Sequence, residues 1–281
     1  VRIVIFTDLD GSLLNHDDYD YAAAVPTLAR IRAGNISLVI ATSKTRREVQ
    51  SLQAEMGIGG PFIVENGGGI FFRDSPGVRR RWDGEKSGAY NVVRLGAAYR
   101  DIRDFFARMS SLYKIRGFGD MTIAEIAEMT GLSESEAERA RQREFTEPFL
   151  AEDEQDIPEM ERLARLEGFK ITKGGRFYHL IGGGQDKGLA VKKCIEIYRR
   201  NETRSPWVTV GVGDSENDLP MLRQVDIPVL IPRPRKGWLN IELPGLVRAE
   251  ETGSRGWNSA VGCVLDNLEE GYFSGKAFSC P

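Results

Sequence analysis

Two aspartates one residue apart, Asp8 and Asp10, follow the apolar run Ile3-Val4-Ile5-Phe6 and precede Gly11. Carboxylates this close repel each other, and a bound cation is the natural relief. Taken alone the pair reads equally as a solvated turn, because Asp and Gly are common turn residues. Three further polar clusters change the balance: Thr42-Ser43-Lys44, Gln185-Asp186-Lys187-Gly188 and Gly213-Asp214-Ser215-Glu216-Asn217-Asp218. Brought to one sheet edge, they assemble a nucleophilic carboxylate, a second carboxylate, a hydroxyl donor, a lysine and two further acids. Phosphoryl transfer needs those parts: a nucleophile in line, with positive charge on the equatorial oxygens. The all-oxygen ligand set suits Mg2+, which takes one or two carboxylates together with water and phosphate.

The elements that must position these clusters follow from periodicity. Residues 3–6 read as a buried strand ending at Asp8. Residues 22–33 have helical spacing and stop before Gly34, and a second buried strand at 37–41 runs into Thr42. A helix at 46–56 and a short strand, Phe62-Ile63-Val64, lead into Glu65-Asn66-Gly67. Strands alternating with helices imply parallel pairing, and open parallel sheets place ligands beyond the C-terminal ends of their strands.

From about Phe71 the pattern changes. Helices at 99–113, from Thr122, from Ser133 and at 155–167 interleave with short strands at 90–95, 145–150, 169–172 and 177–181. Thr122 with Glu125, and Ser133 with Glu136, have capping-box spacing. Gly182-Gly183-Gly184 reads as a hinge, after which alternation resumes: helix 187–200, strand 207–212, helix 216–224, strand 227–231 and helix 256–268. The predicted fold is α/β: a parallel-sheet, Rossmann-like core of residues 1–82 and 184–281, with an inserted α+β cap at 83–183.

Lys and Arg number 38 against 41 Asp and Glu, a net charge of −3 without a basic stripe, which argues against nucleic acid as a partner. No apolar run approaches the ~20 residues of a membrane span, and the first residues read as a strand, not an export signal. Cys194 and Cys263 fall in helical patterns and are expected as small core residues of a reducing compartment. The reading is a cytoplasmic monomer or homodimer with a small-molecule substrate and no membrane partner.

The four clusters, in this order, resemble the motifs of the haloacid dehalogenase superfamily in its phosphatase branch. Asp8-Leu9-Asp10-Gly11-Ser12-Leu13 is similar to its first motif, with Ser where Thr is more usual. Thr42, Lys187 and the 213–218 segment stand at its second, third and fourth motifs. Segments 6–11, 45–49, 62–69, 117–122 and 174–179 further resemble the mannosyl-3-phosphoglycerate phosphatase family. The resemblance implies a substrate that is a phosphorylated sugar acid, with mannosyl and glucosyl forms undistinguished.

It also implies roles. Asp8 is the nucleophile and Asp10 the acid–base. Thr42 and Lys187 bind the phosphoryl oxygens. Mg2+ is held by Asp8, the Asp10 main-chain carbonyl and Asp214, with Asp218 as a further ligand or as the orienter of Lys187. Ser43, Lys44, Glu65, Asn66, Gly67, Asn217 and two residues near the cap strand, Arg176 and His179, are candidates for substrate or phosphate contact. Each has a plainer reading: a surface charge for Lys44, a glycine turn for 65–67, an ion pair for Arg176, a hydrogen-bonded imidazole for His179. The alternative functions are a sucrose-phosphate-like or broad sugar phosphatase and a non-catalytic sugar-phosphate sensor. An acid beside the nucleophile speaks against the sensor.

Overall fold

The computed structural model describes residues 1–74, 83–173 and 177–271. The chain opens with β1 (Arg2–Thr7), α1 (Val25–Ala33), β2 (Ser37–Ala41), α2 (Arg46–Glu55) and β3 (Phe62–Val64). Three strands follow: β4 (Gly69–Arg73), β5 (Glu85–Ser87) and β6 (Tyr90–Arg94). The inserted unit comprises α3 (Tyr99–Ser110), β7 (Ile115–Gly117), α4 (Ile123–Thr130), α5 (Glu134–Arg141), β8 (Thr146–Ala151), α6 (Ile157–Leu166), β9 (Phe169–Lys173) and β10 (Tyr178–Gly182). The chain then returns through α7 (Lys187–Asn201), β11 (Trp207–Gly213), α8 (Leu219–Leu222), β12 (Ile227–Leu230), β13 (Val247–Arg248) and α9 (Gly253–Glu269).

Among the described residues the larger sheet has the order β13-β12-β11-β1-β2-β3-β4-β6-β5, parallel from β13 to β3 and antiparallel beyond. Strand alternation explains how it is covered. Ile5 and Ile40 pack with Leu28, Val49 and Trp257 of α1, α2 and α9. Val4, Phe6 and Val39 face the other way, onto Ala190, Val191 and Cys194 of α7 and Met221 of α8. Helices on both faces require strands that are apolar throughout, which is how β1 and β2 read. The chain leaves β1 for β2 on one side and comes back to β11 on the other, so the order reverses at β1. That switch point is where such sheets form a crevice.

The smaller sheet, β7-β8-β10-β9, is antiparallel. One face is covered by α3 and α6, through Phe105, Phe106 and Met160 against Phe149, Tyr178 and Leu180. His179 alternates with Tyr178 and Leu180 and therefore lies on the opposite face. Helices α4 and α5 form a satellite cluster with Phe118 and Met121. Both capping boxes form, at Thr122 and Ser133.

Several expectations are displaced. Residues 85–94, assigned from sequence to the cap, extend the larger sheet through β5 and β6. The turn after β3 is too short to hold a crossover helix, so the chain folds back antiparallel. The helix expected at 216–224 is a single 3-10 turn, Glu216–Asp218, and the four-residue α8, with Pro220 in its first turn. Of the hinge glycines, a Cβ on Gly182 would stand 2.8 Å from Ala97 N and one on Gly183 2.9 Å from Gly168 O; only Gly184 faces open space. The two connections between the units touch, since a Cβ on Gly96 would stand 2.3 Å from Gln185 Oε1. Cys194 is buried as expected, whereas Cys263 is half-buried and disulfide-bonded, so it is not the core thiol read from the sequence. Among the described residues no helix is long and apolar enough to cross a membrane.

Candidate active site

Asp8 follows β1 and its N–H donates to Val212 O of β11, which fixes it between the two strands. Gly11, at φ +81°, turns the chain away, and a Cβ there would stand 2.7 Å from Asp214 Oδ2. A side chain at position 11 would thus push into the carboxylate that follows β11. Asp214, in turn, sits where the 3-10 turn brings Asp218 back, and Asp218 Oδ2 accepts from the N–H groups of Asp214 and Ser215 at 3.1 Å each.

Lys187 is the first residue of α7, whose N-cap Asp186 accepts from Leu189 N at 2.7 Å. A lysine at a helix start is ordinarily solvated, yet this one is 1% exposed. Its Nζ donates to Asp8 Oδ1 at 2.6 Å and to Asp218 Oδ1 at 2.7 Å. Burial works against its charge, but the two carboxylates outweigh burial and hold the ammonium above its ordinary pKa. Burial likewise lifts Asp8 well above the carboxylate range, against the pull of Lys187 and with the repulsion of Asp218, Asp214 and Asp10. Asp214 is pushed up to about 7, by burial first and Asp218 second.

Carboxylate oxygens of Asp8, Asp214 and Asp218 all lie within 4.8 Å of one another. Fully ionised, the three buried carboxylates against one ammonium would leave an excess of two negative charges, and burial together with that excess raises Asp8 and Asp214. All the donors are oxygens. A hard divalent cation fits that set. The side chain of Asp10 is turned elsewhere, with Oδ1 3.0 Å from Lys44 Nζ. Lys44 is also 4.9 Å from the Tyr19 ring centroid, and Asp10 and Glu48 hold its charge against burial.

The loop after β2 carries the donors. Thr42 is buried, and its Oγ1 accepts from Lys44 N at 3.2 Å. Its carbonyl accepts from Asn66 N, and Lys44 O accepts from Glu65 N, both at 3.0 Å. Ser43 is half-buried beside them. The turn after β3 is strained, with φ of 50°, 55° and 92° at Glu65, Asn66 and Gly67. Two of these are non-glycine residues in the left-handed region, which surrounding structure must pay for. Asn66 Oδ1 accepts from Asn217 Nδ2 at 3.4 Å, and a Cβ on Gly67 would stand 2.1 Å from Asp186 O.

Glu65 corrects an expectation. The sequence offers it as a candidate for ligand contact, whereas its carboxylate is fully buried and accepts from Glu144 N at 2.9 Å and Phe145 N at 3.0 Å, both in the inserted unit. Its carbonyl accepts from Gln185 Nε2 at 2.5 Å. Burial pushes its pKa up to about 7, against Arg143 and the two backbone donors. The residue clamps one unit to the other.

His179 has a buried Nδ1 without a hydrogen-bond partner among the described residues, and burial, followed by the charge of Arg143, pushes its pKa down to about 3. Arg176 lies outside the described residues. Sequence reasoning missed Arg143, whose Nη1 donates to Ser43 O at 2.9 Å and whose Nε donates to Ala140 O at 2.7 Å. It also missed Glu147, a fully buried acid that accepts from Tyr99 Oη at 2.5 Å and Gly119 N at 2.8 Å and so fixes the 117–120 loop. A glutamate inside the apolar strand 145–150 was the available signal for it; Arg143, in a run of charges, had none.

A carboxylate pair after the first strand, a buried lysine and a downstream acid at the switch point of a parallel sheet define one class. Residues 5–233 match the haloacid dehalogenase-like hydrolases, and the chain belongs to that family. It is 52% identical to a glucosyl-3-phosphoglycerate/mannosyl-3-phosphoglycerate phosphatase of Persephonella marina, over 96% of this chain and 99% of the relative. A protein of the same name from Methanococcoides burtonii is 41% identical over 93% of this chain and 96% of its own. A mannosyl-3-phosphoglycerate phosphatase of Pyrococcus furiosus is 34% identical, covering 81% and 90%. Among solved structures, Thermoplasma acidophilum 0175 superposes with a TM-score of 0.68 at 20% identity, over 96% of this chain and 98% of that one, a likeness of fold.

Proposed function

We propose that the chain is a Mg2+-dependent phosphatase of glucosyl- or mannosyl-3-phosphoglycerate, releasing the glycosylglycerate and phosphate in the cytoplasm. It is a phosphoric monoester hydrolase of the haloacid dehalogenase-like family. The observation that carries the chemistry is the Lys187 ammonium bonded to Asp8 beside Asp214 and Asp218. The relatives that match over nearly the whole chain, inserted unit included, carry the substrate.

In this reading Asp8 attacks phosphorus and forms an aspartyl-phosphate, while the bond from phosphorus to the glycerate C3 oxygen breaks. Asp10, oriented by Lys44, gives its proton to that departing oxygen. It then takes a proton from the water that cleaves the aspartyl-phosphate, restoring Asp8. Lys187 and the Thr42 hydroxyl donate to the phosphoryl oxygens, and removal of one such preorganised donor typically costs ~3–4 kcal/mol of barrier. Asp8, Asp214 and the Asp10 main-chain carbonyl would hold Mg2+, which neutralises charge between an anionic nucleophile and an anionic phosphate. Asp218 supports the site through Lys187 and the 214–215 backbone.

The test is phosphate release from mannosyl- and glucosyl-3-phosphoglycerate against sucrose phosphate and simple sugar phosphates, with Mg2+ and with EDTA. Turnover of the first two, at least tenfold above the others and abolished by EDTA, is the expected result. Comparable rates on all substrates would make it a broad sugar phosphatase, and binding without turnover a sensor.

A further inference from the structure

We propose that Arg143 binds the carboxylate of the phosphorylated substrate, with the imidazole of His179 as a further donor. This rests on the phosphoglycerate reading of the site and names the group that selects for it. Arg143 stands between α5 and β8 and is the cationic side chain of the inserted unit that, among the described residues, reaches the Thr42–Lys44 loop. It is half-buried, and its guanidinium carbon lies 5.9 Å from the Phe118 ring centroid.

The acids around it are already engaged. Glu65 accepts from two backbone N–H groups, Glu144 pairs with Arg46 at 2.7 Å, and Glu147 is taken by Tyr99 and Gly119. Among the described residues no carboxylate lies within 4.0 Å of the Arg143 guanidinium. Glu65 acts on this half-buried guanidinium only through space, without a direct ion pair, and an anion from outside would supply the paired partner.

His179 is the independent observation. It projects from the face of the smaller sheet opposite Tyr178 and Leu180, and its buried Nδ1 lacks a partner among the described residues. Burial first, and the charge of Arg143 second, disfavour protonation of that ring, so it stands as a neutral imidazole whose N–H can donate to an anion held by the guanidinium. Phosphate is not the anion in question, because Arg143 touches the carbonyl of Ser43 and not the Thr42 hydroxyl. What fits is a second anionic group a few bonds from phosphorus. The planar guanidinium fork matches a carboxylate, and glycerate carries one there.

The probes are 3-phosphoglycerate and glycerol 3-phosphate, which differ by carboxylate against hydroxymethyl. Each is titrated calorimetrically, with Mg2+, into the Asp8→Asn protein, which holds ligand without turning it over, and into the same protein carrying Arg143→Gln. Glutamine keeps a donor for Ser43 O and removes the charge; Arg143→Ala repeats the test without the donor. The expected result is 3-phosphoglycerate binding about 10–100-fold more tightly than glycerol 3-phosphate, with the preference lost in both Arg143 variants. Equal binding of the two probes to the parent, a preference kept in the variants, or no binding of either overturns the proposal. Failure of the function reading is separate: it is the wild type leaving both glycosyl-3-phosphoglycerates intact.

Discussion

The ammonium of Lys187 lies 2.6 Å from Oδ1 of Asp8, although 179 positions separate them in the chain. The contact joins the first strand to the start of α7 and puts a fixed positive charge against the proposed nucleophile. Replacing Lys187 by Met removes the cation and leaves three buried carboxylates facing one another. Turnover should fall by about 10²–10³-fold or more. Breaking such a buried pair should cost about 3–5 kcal/mol of stability at neutral pH. Urea unfolding at pH 7 and pH 5 checks the second part, since protonation of the raised Asp8 and Asp214 should recover stability in acid.

The two opening aspartates should separate by leaving group. Asp8→Asn should abolish turnover of every phosphate ester, because no aspartyl-phosphate forms. Asp10→Asn should lower the rate on a glycosyl-3-phosphoglycerate by about 10²–10⁴-fold. With p-nitrophenyl phosphate, whose leaving group needs no proton, aspartyl-phosphate formation should be far less affected. Burst kinetics on that substrate, showing a fast first turnover and a slow second, would report the lost base role directly.

Cation binding is readable without turnover. Mg2+ at one hundred times its dissociation constant should raise the unfolding free energy by about 2.7 kcal/mol, and EDTA should reverse it. Asp214→Asn should remove most of the shift, because it deletes one of the three clustered carboxylates. A thermal midpoint in wild type that ignores Mg2+ would sink the assignment.

Glu65 should give the protein an acid-side stability component. Its folded pKa of about 7 exceeds the ordinary 4.5, so the native state holds the proton more tightly than the unfolded chain. The contribution is complete below the unfolded value and is lost as pH rises through about 7, a total on the order of 3 kcal/mol. Glu65→Gln should flatten that decline. His179, held down to about 3, works the other way: its contribution is present above the unfolded value of 6.5 and is lost as pH falls toward 3. Unfolding midpoints of Glu65→Gln and of His179→Gln between pH 4 and 8 should therefore deviate from wild type with opposite slopes.

Much of the site was legible because its residues are tied to strand and helix ends. Asp8, Thr42 and Asp214 each follow an apolar strand of the parallel sheet, and Lys187 opens the helix after the insertion, so order and spacing located them. The capping boxes were legible for the same local reason. What escaped depends on contacts across the chain. Glu65 looks like the start of a glycine turn, and only the fold reveals that its partners are backbone N–H groups 79 and 80 positions away. Arg143 sits in Arg141-Gln142-Arg143-Glu144, a string that reads as solvated charge. The 85–94 hairpin was misassigned because antiparallel edge strands carry no crossover helix to announce the sheet they join.

The paired tethers at Gly96–Ala97 and Gly182–Gln185 have an evolutionary consequence. A segment that leaves the core after β6 and re-enters it at α7 through two touching connections behaves as a cassette. It can be exchanged for another of different size or selectivity while Asp8, Lys187 and Asp214 keep their places. Grafting the 97–182 segment of a relative with different sugar preference onto this core should move selectivity and leave the phosphoryl chemistry where it is.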